Sequence, residues 1–394
     1  MILARILFNW EMGAGMGHIA PYLETAKQLV SAGHEVFFVM KELQRAERFF
    51  HGTGVKYLQA PCHPDFREGL KTSALYAQIL HNCGFSSVDI TTSLINAWRG
   101  LFDLIKPDLM VFDHAPVAQL ASRELGVKRA VFGTGFQIPP EDDPMPLMPF
   151  WNKVDEAAAR KDEAQVFNVI NQSLTAAGMQ SVERVGQIFE VDLKLLCTFR
   201  ELDHYGQRNG MEFIGVGPDP VGADPKWPKM PGRRLFGYLK PFKTLPDLLK
   251  VINENELPTL IYPDGISHKV MKKFGSKNLH FVKRPLDMGK VCQQCDVALT
   301  NGNHATTATL LLHGVPSLVL PRHHEQYMVG ERVQALGAGL SAPKLHPDGM
   351  KLKLKALCED GRYKQAAMAF AEKYSDFDRG GMSSLLTERL TALL

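Results

Sequence analysis

Hydrophobic and polar positions in the first forty residues set out a pattern that recurs along the chain. Residues 3–9 (Leu-Ala-Arg-Ile-Leu-Phe-Asn) are mostly apolar, as in a parallel strand covered on both faces. Gly13-Ala-Gly-Met-Gly17 breaks that run. Apolar residues return at helical spacing from Ile19 to Val30, and Pro21 is tolerated in the first turn, where a missing N–H costs nothing. Gly33 ends the predicted helix, and Glu35–Met40 predicts a second strand. Strand, glycine loop, helix, strand is a βαβ unit. A later unit ends in the strand 108–113, followed by a helix over 117–125 and a strand over 129–132.

Beyond it, Pro139 to Pro149 is an acidic, proline-rich loop, helical patterns run from about 152 to 190, and short strands follow near 193–199 and 212–216. Residues 217–232 hold five prolines and three glycines, which neither a helix nor a central strand accommodates. We place an interdomain linker there. Alternation then resumes, with strands at 234–239, 258–262, 279–283, 296–300 and 317–320. Helices are predicted between them at 245–255, 267–274, 287–293 and 305–313, and after them at 325–336. Strands alternating with helices predict an α/β protein of two doubly wound, Rossmann-like domains facing across a cleft. The boundaries read 1–216, a linker 217–232, 233–375, and a terminal helix 376–394 packing back on the first domain.

A length of 394 residues fits two domains, and 45% hydrophobic with 22% charged residues is a globular balance. With 45 Lys+Arg against 42 Asp+Glu, the formal charge of +3 gives no sign of a nucleic-acid partner. No apolar run reaches the ~20 residues of a membrane span. Of six cysteines only Cys292 and Cys295 are close in sequence, and one C-x-x-C without a second pair reads as buried thiols, not as a metal site. The expectation is a reduced, cytoplasmic protein without stable membrane insertion.

In doubly wound sheets, ligands bind beyond the carboxyl ends of the strands. His18 follows the first strand and Asp113 ends another, so parallel strands deliver both to one edge, where a histidine braced by a carboxylate is a general-base candidate. The glycine loop lacks G-x-G-x-x-G spacing, and only Met40-Lys41-Glu42 lies where a ribose-binding acid would stand, a poor dinucleotide fingerprint. In the second half, Thr300-Asn-Gly-Asn-His-Ala-Thr-Thr-Ala-Thr309 leads from strand to helix, with hydroxyls and N–H groups suited to a diphosphate. Pro321-Arg-His-His-Glu-Gln326 forms a second polar cluster at the end of the neighbouring strand.

At these residues the chain resembles the glycosyltransferase-B (GT-B) superfamily, and within it the nucleotide-sugar-dependent transferases of macrolides, flavonoids and other small acceptors. Gly15-Met-Gly-His-Ile-Ala-Pro21 looks like the Gly-His-x-x-Pro segment of that group. Residues 301–316 match the donor motif in length, and Pro321 to Gln326 resembles its P-x-x-x-D/E-Q continuation. Asn301 stands where the family carries a phosphate-binding His, and Thr309 where it carries a ribose-binding Glu.

The resemblance implies an inverting, metal-independent transfer of a sugar from a nucleotide diphosphate sugar (UDP or dTDP) to a small-molecule acceptor. It implies no cofactor beyond that co-substrate, and it is compatible with a homodimer. His18 and Asp113 are the implied catalytic pair. The implied donor contacts are Gly17, Asn301, Gly302, Asn303, Thr306, Thr307, Glu325 and Gln326, with Pro285 and Met288 near the base. His304 and Lys240 are candidates for added positive charge. Two rival readings are a nucleotide-sugar epimerase on the same fold and a non-catalytic auxiliary protein.

Overall fold

The computed structural model describes residues 3–13, 16–44, 46–62, 69–70, 73–206, 208–219, 221–344 and 347–394. Ala14 and Gly15 of the glycine loop and Pro220 of the predicted linker lie outside the described residues.

The N-terminal part opens with β1 (Arg5–Trp10), α1 (Ala20–Ser31), β2 (Glu35–Met40), α2 (Ala46–Phe50) and β3 (Lys56–Gln59). Two helices follow, α3 (Tyr76–Asn82) and α4 (Val88–Ile105), then β4 (Leu109–Asp113), α5 (Pro116–Ala121) and β5 (Lys128–Gly133). The long helix α6 (Glu156–Ala176), β6 (Leu193–Leu196) and β7 (Glu212–Phe213) complete it. Among the described residues the strands form a seven-stranded sheet in the order β3-β2-β1-β4-β5-β6-β7, with every pairing parallel.

The first strand is mostly hydrophobic, and buried after Arg5, because both faces are covered. Leu7, Met110 and Phe112 belong to a core with α3–α6, whereas Ile6, Phe8, Leu109 and Val111 face α1 on the other side. The pattern alternates with period two, so a slip of one residue would exchange the two cores.

The C-terminal part contains β8 (Leu235–Leu239), α7 (Leu245–Glu254), β9 (Thr259–Pro263), α8 (His268–Phe274) and β10 (Leu279–Phe281). After these come α9 (Met288–Gln294), β11 (Val297–Thr300), α10 (His304–Leu312), β12 (Ser317–Val319), α11 (His324–Ala335) and β13 (Gly339–Ser341). The chain ends in α12 (Pro347–Glu359), α13 (Gly361–Lys373) and α14 (Met382–Thr391). Among the described residues the second sheet has six strands, β10-β9-β8-β11-β12-β13, again parallel throughout.

Between the sheets, no helix and no named strand occurs among the described residues of 217–232. Met382, Leu386 and Leu390 of α14 join the core beneath α1 of the first sheet. A further cluster joins Phe199, Leu202 and Val216 to Ala308 and Leu311 of α10, Val333 of α11, and Ala367 and Phe370 of α13. The helical region expected over 152–190 is shorter than the sequence suggested. Gly178 adopts φ +69 just after α6, and only a 3-10 turn at Val185–Phe189 follows. The strand expected near 212–216 closes after two residues, because Gly215 turns to φ +69.

Candidate active site

Parallel pairing of β1 with β4 sets Trp10 opposite Asp113, so both strands end at one edge. A 3-10 turn at Met16–His18 then brings the imidazole back over that edge. His18 stacks on Trp10 with ring centroids 4.8 Å apart, and its Nδ1 lies 3.0 Å from Asp113 Oδ2, which accepts the hydrogen bond. Both side chains are buried. Burial disfavours the imidazolium, but the Asp113 charge and its hydrogen bond outweigh this, and Glu325 adds to them, so the His18 pKa lies above its usual range. Asp113 is itself raised by burial, opposed by His18.

The opposite ring nitrogen of His18, Nε2, faces Gly13. A Cβ at Gly13, whose φ is +83, would sit 2.4 Å from Nε2, so glycine is what leaves room beside that nitrogen. Gly17 lies in the intervening turn with open space beside its Cα.

Behind the pair, Glu11 closes the turn that follows Asp113. Its carboxylate accepts hydrogen bonds from the backbone N–H groups of Val117 (2.5 Å) and Ala118 (3.3 Å). Burial pushes its pKa up to about 8. Met12 N–H donates to the His114 carbonyl, which ties the outlets of β1 and β4 together.

The second domain contributes from the start of α11. Glu325 lies near enough for its charge to act on His18 and Asp113, and burial raises its own pKa. Its neighbour Gln326 is occupied structurally, accepting from Arg322 N–H at 3.0 Å and donating to Asn303 Oδ1 at 3.2 Å.

Around the start of α10, most polar side chains are already engaged. Asn301 accepts from Lys240 N–H at 2.7 Å and donates to the Leu320 carbonyl at 2.8 Å, stapling the ends of β8 and β12. Gly302 turns at φ +88 against Gln326, and Thr307 donates to the Asn303 carbonyl at 3.0 Å. Thr306 is half-buried, and among the described residues its hydroxyl takes no hydrogen-bond partner.

His304 does not supply the positive charge expected of it. Its Nε2 contacts Thr198 Oγ1 of the first domain at 2.7 Å, and burial pushes its pKa down to about 4. Lys240 Nζ lies 3.4 Å from Asp264 Oδ2. Exposed Arg322, within the Pro321–Gln326 cluster, is a further cation beside this edge. Desolvation, with Arg322 and Lys240 nearby, holds His323 below its usual range.

Thr309 is buried and already engaged, donating to Asp219 Oδ1 at 2.9 Å and accepting from Arg379 at 3.0 Å. The loop holding Pro285 and Met288 is stapled to residues 222–224, since Ala223 N–H donates to the Pro285 carbonyl and Asp287 N–H to the Ala223 carbonyl. Cys292 and Cys295 are buried thiols with raised pKa values. Among the described residues no group of three or more His, Cys, Asp or Glu side chains is placed to hold a metal ion, and no helix is long and apolar enough to cross a membrane.

Solved structures share this two-sheet arrangement over nearly their whole length. The calicheamicin glycosyltransferase CalG4 superposes with a TM-score of 0.72 at 18% identity, covering 100% of this chain and 99% of that one. The chain has the GT-B fold. SnogD from Streptomyces nogalater, another GT-B structure, gives 0.64 at 15% identity over 98% and 99% of the two chains. VinC, solved in complex with dTDP, gives 0.65 at 16% over 98% and 100%.

Residues 276–376 match the erythromycin biosynthesis protein CIII-like C-terminal domain. A PGL/p-HBAD biosynthesis glycosyltransferase of Mycobacterium tuberculosis is 32% identical over 80 residues, which is 20% of this chain and 19% of that protein. UDP-sugar-dependent glycosyltransferase 52 of Dictyostelium discoideum is 29% identical over 68 residues, 17% of this chain and 4% of that one. The chain thus matches under a fifth of the length of these curated relatives.

Proposed function

We propose that this GT-B protein is a natural-product type glycosyltransferase that moves a sugar from a nucleotide diphosphate sugar to the hydroxyl of a small acceptor, with inversion. The observation that carries this reading is the buried His18–Asp113 pair at the sheet edge, with Glu325 of the other domain close enough to act on it electrostatically.

The acceptor oxygen attacks the anomeric carbon, and the bond from that carbon to the diphosphate oxygen breaks. The acceptor proton passes to His18 Nε2, and Asp113 stabilises the imidazolium that forms. The nucleoside diphosphate leaves toward the start of α10, where backbone N–H groups, the Thr306 hydroxyl and the nearby cation Arg322 favour its charge. Asn301, Gly302, Asn303, Thr307 and Gln326 act here by fixing the shape of that turn, and Glu325 faces the transferred sugar. The base lies toward Pro285 and Met288. The similarity to residues 276–376 of the erythromycin-type domain supports the donor side of this reading.

The test is a transfer assay pairing UDP- and dTDP-sugars with a panel of hydroxylated acceptors. Sugar transfer by the wild-type protein that collapses in the His18→Ala variant is expected. Conversion of the sugar nucleotide with no acceptor present would point to an epimerase, and absence of both nucleotide binding and turnover would point to an auxiliary protein.

A further inference from the structure

Immediately after Asp113 stands a residue with two unfavourable features. His114 has φ +48, in the left-handed region that a non-glycine residue occupies only under constraint. The residue is 7% exposed, and its Nε2 has no hydrogen-bond partner. A buried, unpaired polar atom is unfavourable, and so is a left-handed backbone, yet this fold holds both at one position. Glu11 bonding to the start of α5 and Met12 bonding to the His114 carbonyl lock the turn in place.

Aromatic rings close in on that residue. The His114 ring lies 6.2 Å from that of His18, at 28° to it. On its other sides are Tyr76 at 6.3 Å and Phe136 at 6.1 Å, and those two rings are 6.0 Å apart. Tyr76 is buried too, and its hydroxyl also lacks a partner. Three rings thus cluster on the side of His114 and His18, and two of them carry polar atoms with no partner.

We propose that His114, with the Tyr76 hydroxyl beside it, is an acceptor-binding residue that hydrogen-bonds a second oxygen adjacent to the nucleophilic hydroxyl, and so selects ring acceptors with vicinal oxygens. This rests on the transferase reading above. Burial pushes the His114 pKa down to about 3, so the ring stays neutral and does not compete with the charge that forms on His18. An acceptor with only the reacting hydroxyl leaves Nε2 unpaired on binding, and a site built for hydrogen bonding discriminates strongly against such an analogue.

The probes are a catechol and the phenol that lacks only its second hydroxyl, used with the full-length protein and one accepted sugar nucleotide. Wild type is expected to favour the catechol by tenfold or more in kcat/KM, chiefly through KM. In His114→Leu that ratio falls toward one, and in Tyr76→Phe it falls partway. His114→Asn, which tolerates the left-handed backbone, covers the case in which the leucine variant does not fold, and it should lose most of the ratio as well. Titration of both probes onto His18→Ala reads the same preference in binding, without turnover.

Equal use of the two probes by wild type, or a ratio unchanged in both His114 variants, overturns the assignment and leaves the transferase reading standing. No transfer to any acceptor defeats that reading and this one together.

Discussion

His18 and Asp113 are where single substitutions speak most directly. An alcohol is far too weak an acid to ionise at neutral pH, so a placed base contributes ~10²–10⁴-fold. His18→Ala should lower kcat by that order and leave nucleoside diphosphate affinity, measured by titration, nearly unchanged. Because Asp113 holds the His18 pKa above its ordinary 6.5, the acidic limb of the kcat/KM profile should lie above pH 6.5. Asp113→Asn removes the charge that opposes desolvation, so the limb should move to lower pH while the plateau falls. A profile that does not move would detach Asp113 from the base. Gly13→Ala places a methyl group 2.4 Å from Nε2 at a φ of +83, and it should lower kcat with little change in nucleotide binding.

At the scale of elements, the turn from β11 into α10 divides its work between support and contact. Asn301 joins the ends of two strands through two hydrogen bonds, and it is 1% exposed. Asn301→Ala would leave the Lys240 N–H and the Leu320 carbonyl without this partner, costing about 1–3 kcal/mol. A lower midpoint in denaturant at unchanged slope is the expected readout. Thr306→Ala leaves that frame intact. It should weaken nucleoside diphosphate binding by about 1 kcal/mol, the scale of one net hydrogen bond, with little effect on the midpoint. Unchanged affinity in Thr306→Ala would move the phosphates away from this helix.

Across the whole molecule, the two domains meet over neutral histidines. His304 lies against Thr198, His204 stacks on His304 at 5.8 Å, and burial holds both below the usual imidazole range. Below pH 6.5 the unfolded chain binds protons that these folded-state imidazoles refuse until about pH 4 in the case of His304. Stability should therefore be full above pH 6.5 and fall as pH drops toward 4, by up to roughly 1.4 kcal/mol per pH unit for each such histidine. Melting temperature against pH reads this directly, and His304→Gln should flatten the slope. An equally steep slope in that variant would assign the acid sensitivity to other groups.

The sequence by itself determined what depends on local pattern. Two runs of alternating strands and helices, the glycine break after β1 and the acid at the end of β4 were all legible, because strand burial and helix periodicity are written into neighbouring residues. The dyad followed from them, since parallel strands carry their carboxyl ends to one edge. The segment opening with β3 is less legible, as β3 is a half-exposed edge strand with little apolar signal. Only the tertiary structure decided which partners the polar side chains take. Thr309 bonds to Asp219 and Arg379, 90 and 70 residues away, and His304 reaches Thr198 across 106 residues. Such pairs have no period in the sequence. They form where packing brings distant elements within hydrogen-bond range, and this is also how His114, bland in the sequence, comes to stand strained and unpaired beside His18.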